Sequence, residues 1–280
     1  MIRIIKFLLK IMLILVAVAI GILTYAKYVE PNTLVEKSVQ VSSTFVTASS
    51  ENLKLALISD THFSKDYDLK DFQKVLDSLS ENQPDLVFFV GDLFDNYYRY
   101  DGDVKEISEA LLSIKAKEGK FAIFGNHDYG GGAEHEYASI MEAGGFRVLK
   151  NEYYPLDELQ LSIVGIDDFM LGYGDIGKAT WARDDYFNIL LCHEPDIIDS
   201  ILEYNIDLML SGHTHGGQIH LPGYTEEFLP PYGQNYVKGL FDFDNHRGTS
   251  LYVTPGLGTT KIPLRLFSKP EVTYITLSAS

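Results

Sequence analysis

Five short stretches gather residues that can do metal chemistry: Asp60-Thr61-His62, Gly91-Asp92, Gly125-Asn126-His127-Asp128, His193, and Gly212-His213-Thr214-His215. They hold five of the eight histidines in the 280-residue sequence, so histidine is concentrated where the carboxylates also fall. Taken singly, most of these stretches are ordinary. Asp after Gly is common turn chemistry, an Asp-x-His also suits a helix cap, and a lone His193 in an apolar run is a typical core histidine. His213-x-His215 between glycines is more specific, because two imidazoles on one side of an extended turn make a bidentate clamp for a metal. Asp60, His62, Asp92, Asn126, His193, His213 and His215 together offer carboxylate, carbonyl and imidazole donors without thiolate. Such a set suits manganese, iron, zinc or cobalt, manganese first among them.

The stretches gain weight from the elements that must position them. Each follows an apolar run read as a strand: KLALIS at 54–59, LVFFV at 86–90, and the runs at 121–124, 187–192 and 206–210. In open α/β sheets ligands bind outside the carboxyl ends of the strands, so five strand ends delivering Asp, Asn or His converge on one crevice. Between them, Leu69, Phe72, Leu76 and Leu79 recur at helical spacing, as do Val104, Ile107, Leu111 and Ile114, and then Ala133, Tyr137, Ile140 and Met141. The second half is richer in strands (161–166, 251–254, 272–277), with one helix expected over 195–204, opened by Pro195. Strands alternating with helices, then strands dominating, imply an α/β body with two sheets.

In this order the motifs resemble the calcineurin-like metallophosphoesterase superfamily over about residues 53–220. GHTHGGQ at 212–218 and YVTPGLGTTKIPLR at 252–265 resemble its bacterial membrane-associated YkuE-type branch, which includes enzymes acting on UDP-diacylglucosamine. The resemblance implies an α/β four-layer sandwich, two mixed β-sheets flanked by helices, occupying residues 53–280. It implies two divalent metal ions: Asp60, His62, Asp92 and His215 for one, Asp92, Asn126, His193 and His213 for the other, with Asp92 shared. His127 is then the general acid and Asp128 its orienting partner. Two divalent ions about 3.5–4 Å apart acidify a shared water and stabilise the charge of a phosphate under attack. The implied activity is hydrolysis of a phosphate ester or pyrophosphate by that hydroxide, on a phosphorylated small molecule or lipid related to the membrane or envelope, such as a sugar nucleotide or phospholipid precursor. A broad phosphodiesterase or phosphomonoesterase, and an envelope-binding protein with a structural metal, are the alternatives.

Residues 11–26 are uncharged and mostly apolar, and Arg3, Lys6 and Lys10 precede them. That is a short transmembrane helix within residues 1–29, with the N-terminus cytoplasmic and the body extracytoplasmic on a single-pass anchor. A signal peptide cleaved to release a secreted body is the alternative, since Thr24-Tyr25-Ala26 offers small-x-small spacing. Residues 30–52 read as a Ser/Thr-rich linker with room for one edge strand. Of the formal net charge of -16, the first thirty residues hold +3 (four cations against Glu30), so the remainder carries -19. So acidic a body has no electrostatic footprint for nucleic acid. Cys192, the single cysteine, excludes an internal disulfide and reads as core.

Substrate contacts are weakly written. Tyr97, Tyr98, Tyr100, Tyr129 and the segment 221–238 lie just downstream of motif residues, where loops can line a cleft mouth. Arg265 reads as a surface ion pair or a partner for a second phosphate, and Asp167-Asp168 as a turn or a support for the site.

Overall fold

The computed structural model describes residues 2–221, 223, 225 and 229–280. Its body is built from two six-stranded sheets. The first contains β1 (Val35–Ser43), β2 (Lys54–Ile58), β3 (Leu86–Val90), β4 (Gly119–Ile123), β5 (Arg147–Val148) and β12 (Glu271–Ala279), in the order β1-β12-β2-β3-β4-β5. The second contains β6 (Glu152–Leu156), β7 (Leu161–Gly165), β8 (Phe187–Leu191), β9 (Leu208–Ser211), β10 (Gly239–Asp242) and β11 (Ser250–Val253), in the order β10-β11-β9-β8-β7-β6. Both are mixed: β2, β3, β4 and β5 run parallel while β12 pairs antiparallel with β2, and β7, β8, β9 and β11 run parallel between antiparallel β6 and β10.

Alternation along the strands explains why the sheets stack. Leu55 and Leu57 of β2 face the second sheet, where Phe187, Ile189 and Leu191 of β8 and Leu208 and Leu210 of β9 meet them in one buried layer. Ala56 and Ile58 face the other way, onto α2 (Leu69–Asn82), α3 (Val104–Ser113) and α5 (Tyr137–Ala143). Strands buried on both faces read as continuous apolar runs, as 86–90 does. Helix α2 starts at a capping box, Asp68 accepting from the Lys70 and Asp71 N–H groups, and ends at Gln83 in a left-handed conformation before Pro84.

The outer face of the second sheet is covered differently. The helix expected over 195–204 is a 3-10 segment, Pro195–Ser200, joined by another at Ile176–Trp181. The β-branched Ile197, Ile198 and Ile201 pack into the sheet, and the Asp196 carboxylate accepts from the Gln234, Asn235 and Tyr236 N–H groups. Those bonds tie the first turn sideways and favour a short, tight helix. The helix expected from Ala133 starts only at Tyr137.

Residues 30–52, expected as a linker with room for one edge strand, contain that strand: β1 lies parallel to the full length of β12 at the sheet edge. Ahead of it runs α1 (Ile2–Tyr28), a single helix whose apolar side chains are exposed. By length and composition it can cross a membrane, a property that anchors and signal segments share.

Candidate metal centre

The parallel strands β2, β3 and β4 of one sheet and β8 and β9 of the other end at the same rim, and the five stretches leave from those ends. Backbone bonds continue past the strands and lock the turns: Asp60 N–H donates to Gly91 O (3.0 Å), His62 N–H to Asp92 O (3.2 Å) and Gly212 N–H to His193 O (3.1 Å). Asp60, His62, Asp92, His213 and His215 all adopt positive φ, between 45° and 71°. Left-handed backbone in non-glycine residues is strained and gathers at functional sites. The neighbouring glycines make room. A Cβ on Gly125 would collide with the Asp92 carboxylate, and one on Gly212 with that of Asp60.

These turns bring the donors together. Asp92 Oδ2 lies 3.4 Å from His62 Nε2 and 3.3 Å from His193 Nε2, between the two rings. His62 Nε2 and His215 Nε2 are 3.0 Å apart, and His215 Nε2 is 3.6 Å from Asp60 Oδ1. Donor atoms of Asp60, His62 and His215 lie within 4.8 Å of one another, as do those of Asp60, Asp92 and His193. His213 N–H donates to the Asp60 carboxylate (3.1 Å), and the His213 ring sits 4.9 Å from that of His193. Asn126 opens the short helix α4 (Asn126–Gly130) and lines a cavity of about 620 Å³ together with Asp92, His127, His213 and His215.

The chemistry of this donor set fits cations. His193 Nδ1 donates to Val90 O (2.6 Å), so its Nε2 points at Asp92, buried and without a hydrogen bond among the described residues. Burial resists charge at Asp92, yet His193, His127 and His62 outweigh it and hold the carboxyl well below its usual range. Burial also opposes charge on His193, but Asp92 and Asp60 raise it well above an ordinary histidine. In His213, burial and the His193 charge press the pKa down to about 3. Burial, His62 and Arg265 hold His215 well below the usual value. Both therefore stay neutral, the form in which imidazole binds a metal.

A model of the calcineurin-like phosphoesterase family matches residues 53–217. The chain belongs to that family. The calcineurin-like chain is 39% identical to YkuE of Bacillus subtilis (strain 168), an uncharacterized metallophosphoesterase, over 274 residues that cover 94% of each. It is 30% identical to the phosphodiesterase YaeI of Escherichia coli (strain K12), over 90% of this chain and 92% of that one. Among solved structures, the NAD nucleotidase NadN of Haemophilus influenzae aligns with 72% of this chain and 44% of its own at TM-score 0.46 and 17% identity. The protein thus carries a metallophosphoesterase catalytic domain with a candidate binuclear metal site.

Other residues take places the sequence did not announce. His127 Nδ1 contacts the Asp95 carbonyl at 2.8 Å and lies 3.7 Å from its carboxylate. Asp128, expected to orient His127, instead accepts from the N–H groups of Asp92 (2.9 Å), Leu93 (3.0 Å) and Gly125 (2.9 Å). It pins two motif turns together through their backbone. Asp95, which lies outside the motifs, is also 3.6 Å from His62 Nδ1 and accepts from Thr260 Oγ1 at 3.0 Å. Its only signal in sequence was a place three residues after Asp92.

Arg265 is fully buried rather than a surface cation, donating to the carbonyls of Pro255, Gly258 and Ser268. Tyr97 and Tyr100 pack on Phe94, Tyr129 donates to Asp167 at 2.6 Å, and none of these or Tyr98 lines the cavity. Asp167 and Asp168 accept from the N–H groups of Tyr173, Leu171 and Gly172, holding the next loop. Cys192 is buried in the core of the second sheet. From the segment 221–238 the cavity takes Leu221, Thr225, Leu229, Pro230 and Pro231; Pro222, Tyr224, Glu226, Glu227 and Phe228 lie outside the described residues.

Proposed function

We propose that this chain hydrolyses a phosphate ester or phosphoanhydride on an amphipathic substrate at a membrane surface, such as a phosphorylated lipid, an envelope precursor or a sugar nucleotide. The observation that carries the reading is the placement of Asp92 Oδ2 between two imidazole nitrogens, one of them buried without a hydrogen bond among the described residues. Asp60, His62, Asp92 and His215 would hold one divalent ion, and Asp92, Asn126, His193 and His213 the other, Asp92 shared. When bound, the two ions supply the positive charge that binds a phosphate and acidifies a water for in-line attack.

The remaining work falls to side chains. The His127 N–H donates to Asp92 Oδ1 (2.8 Å), which fixes α4 against the metal-binding carboxylate. The Asp95 carbonyl accepts a hydrogen bond from His127 Nδ1–H and leaves Nε2 on the side of Thr260, 3.4 Å from its hydroxyl at the cavity wall. Burial disfavours charge on His127, but Asp92 and the Asp95 carbonyl outweigh it and raise its pKa. A protonated imidazole there can deliver a proton to the departing oxygen, an effect worth about 10²–10⁴-fold. The cavity lining combines this polar set with apolar side chains, Met170, Ile219, Leu221, Leu229 and Ile262. That combination suits a substrate with a phosphate head and an apolar body.

α1 would be an uncleaved anchor with the body extracytoplasmic, favoured by the cations before the apolar run and none of like density after it. Rates on p-nitrophenyl phosphate, bis-p-nitrophenyl phosphate and UDP-diacylglucosamine with manganese, in wild type and His127→Ala, test the reading. It expects the amphipathic diphosphate to be preferred and the variant to keep its metal while failing on poor leaving groups. A strong preference for the simple monoester would count against it, and a wild type that turns nothing over would leave an envelope-binding module.

A further inference from the structure

Residues 255–270 (PGLGTTKIPLRLFSKP) lie beyond the matched family region, and their composition is unlike the rest of the body. They carry Lys261, Arg265 and Lys269 and no acidic residue, in a body of net charge -19. Two large apolar side chains stand out from this segment, Ile262 at 54% exposure and Phe267 at 63%. Apolar side chains exposed beside lysines have the character of an interfacial segment, in which the rings enter the lipid and the ammonium groups stay at the phosphates.

The segment is held rigidly. Gln218 donates from Nε2 to Thr260 O (3.1 Å) and Ile262 O (2.8 Å) and accepts from Thr260 N–H (2.9 Å), fixing the turn at whose tip Lys261 has φ 61°. Lys238 Nζ donates to Phe267 O at 2.8 Å. Thr260, Lys261 and Ile262 are also a wall of the cavity at the metal centre.

Its position relative to α1 is set by the backbone. Arg265 N–H donates to Ala26 O (2.9 Å), and Ser268 N–H to the buried Glu30 carboxylate (2.6 Å). Thr259 and Pro263 share a cleft with Lys27 and Tyr28, and Phe267 and Lys269 share another with Tyr25. The uncharged run of α1 ends at Ala26. A hydrogen bond to that residue places the segment at the level where hydrocarbon gives way to headgroups.

We propose that residues 260–269 form an interfacial strap lying on the lipid bilayer, with Ile262 and Phe267 in the acyl boundary and Lys261 and Lys269 at the lipid phosphates. The cavity then opens into the headgroup layer, so a phosphorylated lipid reaches the site without leaving the membrane. The inference rests on α1 being retained as an anchor. Surface-seated segments of this kind enter about 5–10 Å below the headgroups.

The test uses the full chain with Trp181, its single tryptophan, changed to Phe, and a new tryptophan at Phe267→Trp, Ile262→Trp or Leu112→Trp, the last an exposed site on α3. Each is reconstituted into phosphatidylcholine–phosphatidylglycerol vesicles, plain or brominated high on the acyl chains. The strap predicts that tryptophan at 267 or 262 loses most of its emission in brominated vesicles while tryptophan at 112 keeps it. A chain that floats with the vesicles yet shows no quenching at 267 or 262 overturns the strap alone and leaves this face to a protein partner. A chain that does not float with them overturns the anchor reading and the strap with it.

Discussion

His62 and His215 stand 153 positions apart in the chain, yet their Nε2 atoms lie 3.0 Å from each other. Two neutral imidazoles cannot both turn lone pairs inward at that distance without a proton or a cation between them. We propose a cation there, held also by Asp60. His215→Ala is therefore expected to lower metal content by about one ion per chain. Inductively coupled plasma analysis of the purified full chain reads this directly, and unchanged content would remove His215 from the ligand set.

Asp128 accepts three backbone hydrogen bonds, from Asp92, Leu93 and Gly125, while fully buried. Asp128→Asn keeps the shape but turns an amide N–H₂ toward N–H donors, leaving at least one of them unsatisfied. A loss of about 2–4 kcal/mol follows from the cost of buried unpaired groups. Urea unfolding of chelator-treated protein measures it. A loss of activity with unchanged stability would instead point to a direct role in proton transfer.

Arg265 donates to three carbonyls in a loop that also contacts α1 and His215. Arg265→Met should cost about 1–3 kcal/mol or more, since several carbonyls lose their donor together. Lys269→Met, on the exposed end of the same loop, should stay within about 0.5 kcal/mol. Paired denaturation curves decide between this arrangement and a surface ion pair, for which the two variants would behave alike.

Lys120 donates to Leu111 O, Ile114 O and Gly144 O, and burial with a smaller push from Lys115 brings its pKa down to about 8. The unfolded chain holds that proton up to about 10.5. Between the two values the unfolded state binds more protons, so stability rises with pH through this window. The penalty for the buried charge is present in full below about pH 8. The difference in stability between wild type and Lys120→Met should therefore shift in favour of wild type from pH 8 to 10.5. A difference that stays flat across the window contradicts the assignment.

The strand ends and their polar turns were readable because both signals are local: KLALIS followed by Asp-x-His, or LVFFV followed by Gly-Asp, needs no tertiary knowledge. The five parallel strands β2, β3, β4, β8 and β9 then place those turns on one rim. What escaped was decided by long-range contacts. The weak alternation of β1 allowed one edge strand, but not its nine-residue length or its parallel pairing with β12. Arg265 looks like a surface cation until three carbonyls surround it, and Asp95 gains importance only from the two rings folded over it. The segment after Pro195 has helical spacing, but Asp196 is tied to a loop nearly forty residues later.

The central claim is that one carboxylate, Asp92, is shared by two cations. Metal analysis of the full chain in detergent, wild type beside Asp92→Ala, tests it most directly. The account predicts two divalent ions per chain in wild type and a near-complete loss of both in the variant. A wild type with a single ion, or an Asp92→Ala protein that keeps two, would contradict it.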